Sequence, residues 1–155
     1  MASINYDEIY SRFYTKVEAF DFVYENADED VVAEYMTIWL HSALSYPYIR
    51  RVFSTLSVDD DQESLTYEMR YAIDDFTDTE FVTELLANGM VYFWVQPKVQ
   101  SITNIVQNFG TTDGRYFSQA MHLSELRALL ADTEIRIRGL IRDRGYLYNT
   151  YLDGE

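Results

Sequence analysis

Apolar residues return every three or four positions along most of this chain, and every second position over one short stretch. Tyr6, Ile9, Tyr10, Phe13 and Val17 share one face of a helix over residues 5–17, with Asn5 as its N-cap and Glu8 three residues on. The segment 19–26 is aromatic-rich and favours no single element. A second helix is expected from about Asp28 to Leu44, where Asp28, Glu29 and Asp30 suit the positive N-terminal end. Its stripe is Val32, Tyr35, Met36, Trp39, Leu40 and Ala43, and Pro47 stops it.

Between Ile49 and Ile73 the period changes. Leu65, Tyr67, Met69, Tyr71 and Ile73 alternate with Thr66, Glu68, Arg70 and Ala72, as in a half-buried strand. Val52, Ser54, Leu56 and Val58 alternate more weakly upstream, and the acidic run Asp59–Glu63 would join the two as a hairpin. A short helix over Tyr48–Phe53 competes with the first strand. Thr77 and Glu80 then read as a capping box opening a helix with Val82, Leu85, Leu86, Gly89 and Phe93 on one side. Gln96-Pro97 is expected to interrupt it, with a restart through Val99, Ile102, Val106 and Phe109 until Gly110.

After a turn at Thr111–Gly114, the longest helix runs roughly from Tyr116 to Arg144. Leu123, Leu126, Leu130, Thr133, Ile137 and Leu140 form a near-heptad seam, widened by Leu129, Ile135 and Ile141. Asp132–Arg136 and Glu134–Arg138 are acid-first i,i+4 pairs. Gly139 leaves room for another backbone to approach closely. These segments predict a mainly α fold, a helical bundle of about five helices with one β-hairpin (about 49–73) and an extended C-terminal tail. Residues 1–145 would be a single helical domain with a hairpin arm, and residues 146–155 an aromatic tail.

Composition narrows the function classes. The 48% apolar content supplies a core, and the absence of cysteine removes disulfides, thiolate metal sites and cysteine nucleophiles. The start, MASINYDEIY, has neither a basic segment nor an apolar run, so no secretion signal is expected. The longest apolar run, Gly89–Val95, falls far short of a membrane span. The net charge is -14; residues 1–80 carry 5 basic and 18 acidic side chains, residues 81–155 carry 7 and 8. Such a surface should repel duplex DNA.

Catalytic chemistry finds little support, so no catalytic, cofactor or metal residue is assigned. His41 and His122 read as helix-surface or partly buried residues, and adjacent Ser42 points about 100° away from His41, which rules out a dyad. No phosphate-loop, dinucleotide, nucleophile-elbow or zincin motif is present. Asp59-Asp60-Asp61-Gln62-Glu63 imitates the start of a calcium loop, but Ser64 stands where glycine is required. Two features point to protein contacts instead. Tyr14, Tyr24, Tyr46, Tyr48, Tyr146, Tyr148 and Tyr151 lie outside the apolar stripes, where tyrosine suits interfaces. Arg127, Arg136, Arg138, Arg142 and Arg144 gather on the last helix, so the acidic face of one copy could meet the basic helix of the next in a head-to-tail ring.

Two stretches carry a family likeness. One comprises Ile49-Arg50-Arg51-Val52-Phe53, Leu65-Thr66-Tyr67-Glu68-Met69, Phe81 through Met90, and Gln96-Pro97-Lys98-Val99. The other runs from Phe117 through Arg127 and ends in Arg142-Asp143-Arg144-Gly145-Tyr146. In overall pattern the chain resembles the small neck proteins of tailed bacteriophages, of the head-to-tail connector (adaptor) type. That resemblance implies a virion structural protein, present in the host cytoplasm before assembly and at the head-tail junction after it. It implies a ring, commonly twelvefold, joining the portal protein to a head-closure (stopper) or tail protein, with DNA passing through unbound. Tyr146, Leu147, Tyr148, Tyr151, Leu152, Arg136, Arg138, Arg142 and Arg144 are then the candidate inter-subunit or portal contacts. An acidic DNA mimic that inhibits a host DNA-binding protein, and a small enzyme using dispersed carboxylates, stay open as alternatives.

Overall fold

The computed structural model describes residues 1–17, 29–109 and 114–146, except for the side chains at 29, 101–109, 114–122 and 146. In chain order the elements are β1 (Ala2–Asn5), α1 (Tyr6–Val17), α2 (Glu29–Ser45), α3 (Pro47–Arg50), β2 (Phe53–Asp59), β3 (Ser64–Met69), α4 (Asp75–Phe109) and α5 (Gly114–Tyr146). The fold is mainly helical, with one small antiparallel sheet of order β1-β3-β2.

Helix α4 is the central element. Val82, Leu85, Leu86, Ala87, Met90, Val91, Trp94 and Val95 are buried, a belt too wide for one neighbour. It packs against α1, α2 and α5 at once. Gly89 marks its closest approach to α2. A Cβ there would lie 2.7 Å from Ala43 Cβ and 2.8 Å from Ile49 Cδ1, so only glycine fits. Around Gly139, where a close approach was expected, only the tip of Arg142 comes within 4 Å, at 3.9 Å. The expected break at Pro97 also does not occur, and α4 runs through it. A mid-helix proline costs about 3 kcal/mol, but Val95 is fully buried before it and Val99 packs on the core after it. Burial on both sides holds the helix together.

The hairpin forms, but β3 ends at Met69, so Tyr71 and Ile73, expected to continue its buried face, lie beyond it and are exposed. Asp59 pairs with Ser64, which shortens the acidic loop to residues 60–63 and puts Glu63 at φ 46°. A bulge between Phe53 and Thr55 shifts the inward face of β2, which explains its weak alternation in the sequence. The competing short helix exists as well, starting one residue earlier and ending at Arg50, as α3. There Pro47 opens a helix rather than merely ending one.

The N-terminus departs from expectation. Asn5 is the last residue of β1, opposite Ser64, and not a helix cap. Ile4 is buried and pairs with Leu65, so the free edge of β3 recruits the chain start as a third strand. The Tyr6 N–H, orphaned at the start of α1, donates to the Glu63 carbonyl at 2.8 Å. At the start of α4, Asp74 is the cap in place of Thr77. Its carboxylate accepts the Thr77 N–H at 2.7 Å and the Thr77 hydroxyl at 2.8 Å.

The α5 seam is confirmed by buried Leu123, Leu126, Thr133, Ile137 and Ile141. Ile135, expected to widen it, is 69% exposed because it sits about 200° round the helix from Thr133. Tyr35 of α2 is likewise exposed, its ring stacked on Trp39 with centroids 5.9 Å apart. Because Gly89 lies against backbone-fixed Ala43, Gly89→Ala should destabilise the fold by about 1–3 kcal/mol. Helix propensity alone would predict a gain of about 1 kcal/mol. Urea unfolding of the two proteins decides the sign.

Candidate functional site

Among the described side chains, the arginines of α5 are exposed except for one inward residue. Arg136, Arg138 and Arg142 are exposed. Arg136 reaches Glu84 at 3.3 Å, Arg138 pairs with Glu134 at 2.9 Å, and Arg142 contacts Asp143 at 3.3 Å. The Arg138 guanidinium also lies 5.0 Å from the centre of the Tyr48 ring, which Arg51 approaches at 5.4 Å. Tyr46 stacks on Tyr92 at 5.8 Å. Tyr46 and Tyr48 therefore serve an intramolecular aromatic cluster joining α3, α4 and α5. Tyr14 is 43% exposed. Tyr24, Leu147, Tyr148, Tyr151 and Leu152 lie outside the described residues, as do the side chains of Tyr146 and His122.

Arg144, read from sequence as part of the basic surface, is instead buried. Its Nη2 binds the Asp78 carboxylate and donates to the Tyr71 carbonyl at 2.9 Å. Its guanidinium carbon stands 4.5 Å from the Phe81 ring centre. Asp78 in turn accepts the Ile73 N–H at 3.1 Å. The pair ties the first turn of α4 to the last turn of α5, an arrangement that i,i+4 reasoning on either helix could not find. The Arg144 Nε is also buried and has no acceptor among the described residues.

Beside this pair opens a cleft of about 320 Å³. Val52, Met69, Phe81 and Ile141 supply apolar surface. Arg51, Arg70 and Arg144 also line it; the Arg144 guanidinium is taken by Asp78, and that of Arg51 lies 5.4 Å from the centre of the Tyr48 ring. Two of the three, Arg51 and Arg70, are exposed. Sequence reading missed this site because its residues come from four separated segments. The only local signal was the basic doublet Arg50-Arg51.

Two further charge clusters hold the acidic half in place. Glu84 of α4 receives Lys16 at 2.6 Å, Arg12 at 3.4 Å and Arg136 at 3.3 Å, joining α1, α4 and α5. Burial alone would raise its pKa, but the bonds from Lys16, Asn88 and Arg12 outweigh burial and hold it below the usual glutamate range. At the hairpin, Tyr6 donates to Asp60 Oδ1 at 2.5 Å, and His41 Nε2 lies 2.9 Å from the same oxygen. The Tyr6 and His41 bonds depress the Asp60 pKa, while burial and then Asp60 raise that of Tyr6. Ser42 donates to the Ile38 carbonyl at 2.9 Å and takes no part. Among the described residues no group of three acidic, histidine or cysteine side chains could hold a metal ion, and no helix is long and apolar enough to cross a membrane.

The depressed Glu84 pKa sets a direction for pH dependence. Its stabilisation is complete above the unfolded glutamate value, about 4.3, and is lost as pH falls through the lower folded value. Glu84→Gln should therefore cost about 1–2 kcal/mol at pH 7, and the cost should shrink as pH falls below the usual glutamate range, read from urea curves across that range. Asp78→Asn and Arg144→Met should each cost about 3–5 kcal/mol, since each strands a buried partner. The double variant should lose clearly less than their sum in the same assay. Comparison with protein-family models, with curated proteins and with solved structures finds no match to this chain.

Proposed function

We propose that this chain is a non-catalytic assembly subunit, a head-to-tail connector of the phage neck type that works as a ring of identical copies. The observation that carries the proposal is the separation of charge over opposite elements. Arg136, Arg138 and Arg142 are exposed on α5, Arg138 and Arg142 on one side and Arg136 about 160° round the helix from Arg138. Asp59, Asp60, Asp61 and Glu63 are exposed at the hairpin, with Asp30 and Glu34 exposed on α2. Opposite charges on different elements favour a heterologous contact, in which the Arg138 and Arg142 side of α5 in one copy meets the acidic hairpin of the next. Such contacts close into rings when the rotation allows. The remaining acidic surface would let DNA pass without phosphate contacts. In this reading Tyr146, Leu147, Tyr148, Tyr151 and Leu152 reach the portal protein.

The DNA-mimic reading fares less well. A mimic needs free carboxylates in spaced rows, yet Asp74 caps a helix, Asp78 and Glu84 are neutralised by cations, and Asp60 is engaged by Tyr6 and His41. Electron microscopy of the purified chain, alone and with a portal ring, tests the proposal. Rings alone or one layer on the portal are expected, with Arg142→Glu reducing both. A chain that stays monomeric and leaves the portal bare overturns it.

A further inference from the structure

The β2–β3 hairpin carries opposite charges at its two ends. At its base, Arg51 follows α3 and Arg70 follows β3, and the Arg70 N–H donates to the Val52 carbonyl at 3.0 Å, which holds the two segments together. Both arginines are exposed and both line the cleft. At its tip, the last pair is Asp59 with Ser64, and Asp59, Asp60, Asp61 and Glu63 are all exposed. The seven residues of β2 separate the two ends by about 20 Å.

Most other charges are already answered within one copy. Arg12, Arg136, Arg138, Arg142 and Arg144 each meet a carboxylate. Arg51 and Arg70 meet none among the described residues; Arg51 lies over the Tyr48 ring instead. At the tip, Asp60 is taken by Tyr6 and His41, and Asp59 accepts the Gln62 N–H at 3.0 Å. The carboxylates of Asp61 and Glu63 meet no cation among the described residues. The loop that carries them is nonetheless fixed, because Tyr6 binds both Asp60 and the Glu63 carbonyl. A contact made by a fixed loop loses little to ordering.

The basic end is also concave. Its cleft has an apolar floor, and Arg144, 8% exposed, lines it with an Nε that has no acceptor among the described residues. A projecting acidic loop complements that shape and charge. A paired ladder cannot bend its tip back onto its own base, so a contact between these two ends joins two copies.

We propose that the hairpin tip of one copy seats on the hairpin base of the next, with Asp61 and Glu63 facing Arg51 and Arg70. The inference rests on the head-to-tail reading and names the surface that receives the acidic hairpin. Tyr48 connects that surface to α5, since Arg138 lies 5.0 Å and Arg51 5.4 Å from its ring centre. Tip and base are different surfaces on one rigid element. Each contact therefore leaves a tip free at one end and a base free at the other, and copies add until the rotation closes a ring.

Charge exchange in the full chain tests this contact. Arg51→Glu/Arg70→Glu alters the base, Asp61→Arg/Glu63→Arg alters the tip, and the quadruple variant restores the original net charge. All four positions are exposed, so unchanged helix content by circular dichroism is expected throughout. Association is read by sedimentation at concentrations up to about 1 mM. Each double variant should associate at least about tenfold more weakly than the original chain, and the quadruple variant should recover to within about threefold. The tip variant is decisive, because it makes the chain less acidic, which by itself favours association. Unchanged association of the tip variant overturns the contact and leaves the head-to-tail reading standing. Loss without recovery in the quadruple variant does the same. An original chain that stays monomeric throughout also overturns the contact, and the connector reading then rests on the portal experiment alone.

Discussion

Everything in this protein is arranged around the need to bury α4. Its apolar residues occupy too much of the circumference for a single partner, so the helix is stable only when α1, α2 and α5 cover it together. The demand is tightest at Gly89, where α4 meets Ala43 and Ile49 with no room for a side-chain carbon. The same demand explains why Pro97 is tolerated. A helix held by packing on both sides of a proline survives a backbone defect that an isolated helix would not.

Charge works as fastening more than as decoration. Glu84, Asp60 and Asp78 each join elements far apart in sequence, the first two where apolar packing gives way to solvent and Asp78 in the interior. These pairs contribute register more securely than they contribute stability, because a buried ion pair repays its desolvation only in part. Using carboxylates in this way leaves the rest of the acids, at the hairpin and along α2, to shape the outer field. The exposed arginines of α5 stand against that field.

The cleft beside Arg144 links these two themes. The buried pair that closes the bundle also positions Tyr71 and the β3–α4 connection. A structural fastening thereby builds a concave, basic, partly apolar surface at the point where α5 ends.

Local pattern determined much of the fold. Helices α1, α2 and α5, the two halves of α4, and the β3 strand with its inward Leu65, Tyr67 and Met69 follow from periodicity, because a half-buried element must repeat with its own geometry. The sequence also settled the overall acidity and the gathering of arginines on the last helix. Tertiary structure alone decided the rest. Asn5 became a strand end because β3 had an unpaired edge, and Asp74 replaced Thr77 as cap because it stands one position before the first turn. Gly89 rather than Gly139 became the close-approach site because only Gly89 faces another helix. Arg144 went inward while its neighbours stayed out because Asp78, sixty-six residues away in sequence, was waiting across the helix pair. Periodicity reports which face of an element is buried; it carries no information about which distant residue that face will meet.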